Sequence, residues 1–218
     1  ALIMTSHNTS EDFDVVIVGL GPVGATLAHL LGVLGVKTLV LEREPVTYLL
    51  PRAVHFDDEI MRVFQWIGIA EELLPQLRVN PGMRFVDPNG KLLLDWPRPN
   101  KESLLGWHPS WRFHQPDLEK VLRMRLAERD SVSMRTRCDV FMIEDKLDHV
   151  ALRYEDMSTG RVNHVCAEYV VGCDGARSLV RRFIDTEMQD FGFHERWLVV
   201  DLHQDLVGVA EGLDALHG

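Results

Sequence analysis

Two short apolar runs flank a segment with helical character near the start of the chain. The runs are Asp14 to Val18 and Lys37 to Glu42, and the helical segment extends from Ala25 to Leu34. Each run has the length of a buried strand, whereas the segment between them is long enough for a helix. The pattern therefore predicts a strand, a tight turn, a helix and a second strand, which together form a βαβ unit.

Three glycines lie between the first strand and the helix, in the order Gly19-Leu-Gly21-Pro22-Val-Gly24. In nucleotide-binding βαβ units the first glycine makes the turn, the second lets the backbone approach a pyrophosphate, and the third lets helix and strand pack closely. The free N–H groups and the dipole of the helix favour the phosphate charge. Glu42 follows Gly24 by 18 residues and would accept hydrogen bonds from ribose hydroxyls. The alternative is a glycine-punctuated βαβ unit without a ligand.

Loops, helices and short strands alternate along the next part of the chain. Residues 44–55 contain two prolines and predict a loop, in which Arg52 would meet a phosphate or flavin edge or remain a solvated arginine. A helix is predicted over Asp57 to Trp66, because apolar residues recur there at helical spacing. Its apolar face comprises Ile60, Val63, Phe64 and Ile67. Turn residues predict a hairpin over Met83 to Leu94, and Pro116 marks the first turn of another helix.

The second half of the chain alternates between apolar and polar residues, which is typical of strands with one solvated face. Strands at 131–136, 139–143 and 150–155, followed after the turn at 158–160 by a strand at 162–166, therefore predict a β-meander. A buried strand from Glu168 to Gly172 leads into Asp174 and Gly175, and we expect a new helix capped by Ser178 to follow. Arginines near the start of that helix indicate either an anionic partner or ordinary exposed side chains. These arginines are Arg177, Arg181 and Arg182.

The composition argues against several classes of function. A formal net charge of −10 repels polyanions, so nucleic acid and anionic membranes are not expected as main partners. No apolar run approaches the ~20 residues of a membrane-spanning helix, and the polar first residues lack a signal-peptide pattern. Three cysteines are too few for a disulfide framework, and ten histidines show no metal-ligand spacing. We therefore expect a cytoplasmic protein with free thiols and no metal site.

Taken together, five segments resemble the flavin-dependent aromatic hydroxylases of the para-hydroxybenzoate hydroxylase type. They are Gly19 to Gly24, Pro51 to Glu59, Gln115 to Glu119, Cys173 to Arg181 and Arg196 to Asp201. The resemblance implies an α/β fold, with a Rossmann-like FAD-binding βαβ domain, a β-meander and the beginning of an inserted substrate-domain sheet. The discontinuous FAD-binding domain would comprise residues 12–80 and 107–185. Residues 81–106 and 186–218 would form an incomplete substrate-binding domain.

The resemblance also implies which residues bind FAD. Glu42 would bind the adenosine ribose, Arg43 would lie beside the adenine, and Val140 would offer backbone contacts to the adenine. Arg52 and Gln115 would contact the pyrophosphate and the flavin side. The residues implied at the pyrophosphate itself are Gly19, Gly21, Pro22 and Gly24.

Asp174 would anchor the cofactor in a motif that serves both FAD and NAD(P)H, and Gly175 would give the backbone room. In the implied reaction NAD(P)H is the co-substrate that reduces FAD, and O2 then supplies one oxygen atom to a phenolic substrate. The chemistry belongs to the cofactor, while the protein supplies position, electrostatics and exclusion of water. No catalytic residue is assigned.

One departure from the family pattern bears on the function of the chain. Family members carry a later Gly-Asp-Ala-Ala-His-type segment that binds the ribityl chain, and these 218 residues contain none. The chain would then be roughly half of the expected length, and we expect it to represent the N-terminal part of a hydroxylase. The alternative is a truncated, non-catalytic module that binds ADP or FAD or serves in interactions. An exposed half-sheet also predicts a homo-oligomer or a missing C-terminal half.

Overall fold

The computed structural model of the protein describes residues 11–50, 52–196 and 198. The strands are β1 (Glu11–Val18), β2 (Thr38–Leu41), β3 (His55–Asp57), β4 (Arg78–Val79), β5 (Gly82–Val86), β6 (Leu92–Pro97), β7 (Ser110–Arg112), β8 (Val132–Arg135), β9 (Cys138–Asp145), β10 (Val150–Asp156) and β11 (Arg161–Gly172). The helices are α1 (Pro22–Val33), α2 (Asp58–Trp66), α3 (Ala70–Leu73) and α4 (Gln115–Leu126), with 3₁₀ turns at Leu74–Gln76 and Val180–Phe183.

Six strands form the main sheet, in the order β8-β2-β1-β11-β10-β9. The predicted βαβ unit is confirmed, because β1 and β2 are parallel neighbours that α1 connects. On its other side β1 pairs in parallel with β11, and β10 is antiparallel to both β11 and β9. The meander therefore consists of β9, β10 and β11. The prediction that the strand at 131–136 leads into the meander is wrong, since β8 pairs in parallel with β2 at the opposite edge.

The apolar runs of β1 and β2 are buried on both faces, as predicted. The strand predicted at 168–172 is present as the end of β11, but the prediction that it is buried is wrong, since Tyr169 is 66% exposed. Side chains alternate across a strand, so Val15 and Ile17 of β1 join the core beneath the helices, whereas Val16 and Val18 join the core shared with the meander. The first core also contains buried residues of α1, α2, α3 and α4. The carboxyl ends of β1, β2, β8 and β11 consequently lie at one edge of a sheet that is covered on both sides.

Helix α2 is present as predicted, and the Asp57 carboxylate caps it by accepting a hydrogen bond from Ile60 N at 3.0 Å. The predicted apolar face is partly wrong. Ile60 is 38% exposed, whereas Met61 is fully buried. The helix therefore directs Met61, Phe64 and Ile67 toward the core. The flexible Met61 side chain is buried in place of Ile60, which the spacing predicts as buried.

The predicted hairpin is confirmed in β5 and β6, which pair antiparallel. Its turn closes through Asp87 N to Lys91 O at 2.9 Å, and Gly90 adopts a φ of +81°. That left-handed conformation strains any residue with a Cβ atom. Many apolar side chains of the hairpin are exposed, including Phe85, Val86, Leu92, Leu93, Leu94 and Trp96.

The chain divides into two units, residues 1–186 and residues 187–218. Among the described residues of the second unit, which are 187–196 and 198, none lies in a helix or strand. Of the Arg196 to Asp201 segment, only Arg196 and Leu198 belong to the described residues. The proposed division into a cofactor domain and a substrate domain stays a prediction.

A buried histidine joins α1 to α4. His29 has no exposed surface, its Nε2 donates to Leu122 O at 2.9 Å, and its Nδ1 has no partner. Burial lowers the pKa of His29 below the ordinary value of 6.5, and Arg129 lowers it further, while the bond to Leu122 and the charge of Glu128 oppose the shift. Folding therefore favours the neutral imidazole.

We expect His29 to make the fold sensitive to mild acid. The unfolded histidine takes up a proton near pH 6.5, whereas the folded one does so only at lower pH. The free energy of unfolding should fall below that pH by up to about 1.4 kcal/mol per pH unit. His29→Gln keeps an N–H donor for Leu122 O but does not titrate. Urea denaturation at about pH 7.5 and about pH 5.5 should show a smaller loss for the variant; an equal loss in both proteins would contradict this account.

Candidate cofactor site

The glycine turn contacts the end of β2, the end of β11 and the first turn of α1. Gly19 donates its N–H to Leu41 O at 2.8 Å and adopts a φ of +103°. A Cβ atom on Gly19 would lie 2.5 Å from Cys173 O, and one on Gly24 would lie 2.0 Å from Gly19 O. Both distances are far below van der Waals contact. The turn therefore packs against the end of β11 and the first turn of α1 only because these two residues are glycines.

Gly21 differs from its two neighbours in the motif. Apart from its two neighbours in the chain, no residue has a heavy atom within 4 Å of the position that its Cβ would occupy. Gly21 caps α1 without a side-chain hydrogen bond, Pro22 stands in the first turn, and that turn contains no acidic side chain. The positive end of the helix dipole thus faces open space that an anion can approach.

Glu42 stands at the end of β2, beside this turn. Its Oε2 accepts a hydrogen bond from Leu20 N at 2.6 Å, and its Oε1 accepts one from Glu44 N at 2.8 Å. An ionised carboxylate has about four lone-pair sites, so each oxygen can accept a further hydroxyl. Glu42 therefore shapes the glycine turn and keeps acceptor capacity for a ligand.

Three other predicted residues lie in different surroundings. The exposed Arg43 donates to Glu44 Oε1 at 3.2 Å, directly after Glu42. The guanidinium of Arg52 is 5.3 Å from the ring centroid of Tyr48, which is within cation–π range. Val140 is buried in the core shared with the meander, so only its backbone is suited to a polar contact.

Gln115 is predicted at the cofactor, but the structure buries its side chain beneath the Arg52 loop. Its Oε1 accepts hydrogen bonds from Arg52 N at 2.8 Å and Ala53 N at 2.9 Å. Its Nε2 donates to Glu119 Oε1 at 2.7 Å. The side chain positions the loop through all three bonds, and the cofactor contact of Gln115 stays a prediction.

Asp174 stands just after β11, where Cys173 N bonds to Val18 O at 2.7 Å beside the glycine turn. The Asp174 carboxylate accepts hydrogen bonds from Ser178 Oγ at 2.6 Å, Leu179 N at 2.6 Å and Val180 N at 3.2 Å. The next residue, Gly175, has a φ of +78° and open space around its Cβ position. Asp174 therefore organises the loop that approaches the site.

The prediction of a new helix after this loop is wrong, because the element that forms is much shorter than a helix. Only the 3₁₀ turn Val180–Phe183 forms, although Ser178 Oγ does accept a hydrogen bond from Arg181 N at 3.1 Å as a cap. A turn of this size lacks the aligned peptides of a helix dipole. The arginines near this turn are therefore not disfavoured by a helix dipole and need no anionic partner on that ground. Arg181 donates to Ala176 O at 3.0 Å.

We expect Asp174→Ala to destabilise this loop. The substitution leaves the N–H groups of Leu179 and Val180 without their carboxylate, which should lower the free energy of unfolding by about 1–2 kcal/mol. Asp174→Asn, which retains one acceptor oxygen, should lose less. Urea denaturation measures both values, and a full loss in the asparagine variant would show that charge rather than capping dominates.

Three further residues lie near the glycine turn and were not predicted as site residues from the sequence. They are Glu119, Arg123 and Cys173. Arg123 donates to Leu20 O at 3.0 Å and pairs with the buried Glu119. The only sequence signal for this pair is its i, i+4 spacing on α4. Burial, with the charge of Asp174 as a smaller cause, raises the pKa of the Cys173 thiol, which therefore stays protonated next to the turn.

The predicted residues thus fall into two groups. Gly19, Gly21, Gly24 and Glu42 meet at the carboxyl edge of the sheet, together with the loop of Asp174 and Gly175. Arg52 lies on a second loop, which is hydrogen-bonded to Gln115 at the start of α4. In the described part of the chain, no three acidic, histidine or cysteine side chains converge as metal ligands. None of the helices described there has the length and hydrophobicity needed to span a bilayer.

Comparison with known proteins agrees with this geometry. The model of a family described as an FAD-binding domain matches residues 12–217. This chain belongs to the FAD-binding domain family. The fold and the resemblance to flavin-dependent aromatic hydroxylases that the sequence predicts are thereby confirmed, as is FAD as the cofactor of the family.

Two curated relatives of this FAD-binding domain are aromatic hydroxylases by name. A probable NADH-specific resorcinol 4-hydroxylase of Rhodococcus jostii strain RHA1 is 42% identical over 189 residues, which cover 86% of this chain and 35% of that protein. A 3-(3-hydroxy-phenyl)propionate/3-hydroxycinnamic acid hydroxylase of Mycobacterium sp. strain JLS is 39% identical over 203 residues, which cover 93% of this chain and 35% of that protein. The FAD-binding domain thus spans about a third of these relatives rather than the expected half.

Solved structures give the same picture of the FAD-binding domain. The flavin-dependent monooxygenase PieE, solved in complex with FAD and substrate, matches with a TM-score of 0.70 and 26% identity, covering 78% of this chain and 31% of that one. The p-nitrophenol 4-monooxygenase PnpA of Pseudomonas putida DLL-E4 matches with a TM-score of 0.66 and 26% identity, covering 78% of this chain and 43% of that one.

Proposed function

We propose that this chain forms the phosphate-binding and adenosine-binding part of the FAD site in a flavin-dependent aromatic hydroxylase. The observation that carries the proposal is the open space at Gly21, set between two glycines that have no room for a side chain. A pyrophosphate needs close approach to the backbone at such a turn. The tight glycines fix the turn, and the open one admits the ligand.

Different residues around the turn would bind different parts of FAD. The N–H groups and dipole at the start of α1 would face the phosphates, and the remaining lone pairs of Glu42 would accept the ribose hydroxyls. The exposed Arg52 would face the flavin side, and Arg43 and the backbone of Val140 the adenine. Asp174 would hold the loop that brings the Gly175 backbone toward the cofactor.

The proposed reaction is the hydroxylation of a phenolic acid or another small phenol with NAD(P)H and O2. FAD, when bound, supplies the electron transfer between the coenzyme and oxygen. The names of the relatives, which include a resorcinol hydroxylase and a p-nitrophenol monooxygenase, support the substrate class. Three free cysteines support a reducing compartment such as the cytoplasm.

The residues at the glycine turn also suit a second candidate. They would provide contacts for the phosphates and the ribose, so the chain would also be suited to hold only the ADP half of FAD, as a non-catalytic nucleotide-binding or interaction module. In the hydroxylase, a C-terminal portion or a second copy of the chain would complete the site.

An absorption spectrum before and after FAD addition and desalting separates the two candidates. The proposal predicts flavin bands that stay with the protein, followed by NAD(P)H oxidation that depends on resorcinol or 3-(3-hydroxyphenyl)propionate. Retained flavin without phenol-dependent oxidation would favour the binding module. A colourless protein after desalting would count against a complete FAD site in this chain.

A further inference from the structure

A chain of polar side chains runs along α4 and joins the two loops of the candidate site. Gln115, Glu119 and Arg123 follow one another at intervals of four residues, which places them on one face of the helix. Gln115 and Glu119 are each only 3% exposed. Over eight residues a helix advances about 12 Å, so the three side chains together connect loops that no single side chain can bridge.

Each link of this α4 polar chain has a defined partner. At one end, Gln115 accepts hydrogen bonds from the backbone of Arg52 and Ala53 and donates to Glu119 Oε1 at 2.7 Å. At the other end, Arg123 Nη2 lies 3.7 Å from Glu119 Oε2 and donates to Leu20 O at 3.0 Å. Leu20 stands inside the glycine turn, so Glu119 is the member that both loops share.

The chemistry of these groups makes the arrangement specific. The Gln115 amide oxygen accepts from the Arg52 loop, so its nitrogen needs an acceptor, and an ionised Glu119 can only accept. Arg123 has donors alone, and its buried Nε has no partner in the structure. Glu119 therefore both orients the glutamine and compensates the charge of the arginine, which would otherwise be largely buried without a counter-ion.

We infer that Glu119 and Arg123 are positioning residues that hold the glycine turn and the Arg52 loop at a fixed separation. The inference rests on the proposed function, in which FAD extends from one loop to the other. ADP would contact the glycine turn and the residues proposed around adenosine, but it lacks the flavin side that Arg52 would face, and its binding is therefore less dependent on that separation. A site that is preorganised at both loops binds FAD without having to order them.

Calorimetric titration with FAD and with ADP tests the inference. Glu119→Gln keeps the size and one acceptor oxygen of the side chain but turns an N–H donor toward Arg123. FAD should bind about tenfold or more weakly to this variant, and ADP should lose clearly less affinity. Lys120→Met, which removes a cation from the exposed side of the same helix, should change neither affinity. Equal losses for FAD and ADP, or no loss of either, would overturn the inference.

Hydrogen exchange in the nucleotide-free chain gives a readout that does not require FAD. In Arg123→Met, the amides of Arg52 and Ala53 should exchange about tenfold or more faster, although they lie at the far end of the α4 polar chain. Amides of β1 and those of the Lys120→Met control should keep their rates. Uniform acceleration, or unchanged exchange at Arg52 and Ala53, would overturn the inference. A wild-type chain that binds neither nucleotide would refute the proposed function, while the exchange rates would still decide this inference.

Discussion

Replacing Gly24 with alanine should disrupt the fold of the glycine turn and not only weaken ligand binding. The new Cβ would lie 2.0 Å from Gly19 O, and neither backbone segment can move away without breaking the contact between α1 and β1. We expect the free energy of unfolding to fall by about 3 kcal/mol or more, with loss of FAD binding as a consequence. Urea denaturation monitored by circular dichroism measures the change.

Gly21→Ala is the matched comparison, because it adds the same methyl group to open space. Gly21 already has a φ of −73°, which alanine adopts without strain, so stability should stay within about 1 kcal/mol of wild type. FAD affinity should still fall about tenfold or more, since the methyl group occupies the approach to the helix N-terminus. Equal stability of Gly24→Ala and Gly21→Ala would contradict the tight packing of the turn at Gly24.

Replacing Glu42 with glutamine should affect both stability and nucleotide binding. The carboxylate accepts hydrogen bonds from Leu20 N and Glu44 N, one on each oxygen. A glutamine has one acceptor oxygen and would turn its NH2 group toward the other backbone donor. We expect a loss of about 1–3 kcal/mol in the free energy of unfolding and about tenfold weaker binding of ADP and FAD.

Glu44→Gln is the control for this change. Glu44 is exposed and pairs only with the exposed Arg43 in the described part of the chain, so stability should change by less than about 0.5 kcal/mol. Calorimetry and urea denaturation of the two variants measure the difference. Equal nucleotide affinity in Glu42→Gln and wild type would remove Glu42 from the proposed site.

The parts of the site that the sequence predicts are those determined by local chemistry. Gly19 has a positive φ, and Gly24 has room for a hydrogen atom but not for a Cβ atom. Both requirements follow from a strand that turns directly into a helix. The spacing to Glu42 follows from the length of one helix and one strand. These features depend on few residues that are close in sequence.

The parts that the sequence misses depend on tertiary contacts. β8 pairs with β2 across a long crossover, which strand alternation cannot distinguish from the next strand of a meander. Gln115 contacts residues more than 60 positions earlier in the chain, and Arg123 reaches Leu20 across 103 positions. After Asp174 only the 3₁₀ turn Val180–Phe183 forms, although the aspartate accepts hydrogen bonds from Leu179 N and Val180 N as a helix cap would, so the local cap signal does not determine the length of the element.

The most direct test of the account is equilibrium dialysis of FAD against the wild-type chain and Gly21→Ala at matched folded concentrations. The account predicts saturable binding of one FAD per wild-type chain, and a dissociation constant about tenfold or more higher for the variant. Equal binding by both proteins would contradict the assignment of the open glycine to the pyrophosphate. Absence of binding by the well-folded wild-type chain would contradict the proposal that these residues form an FAD site.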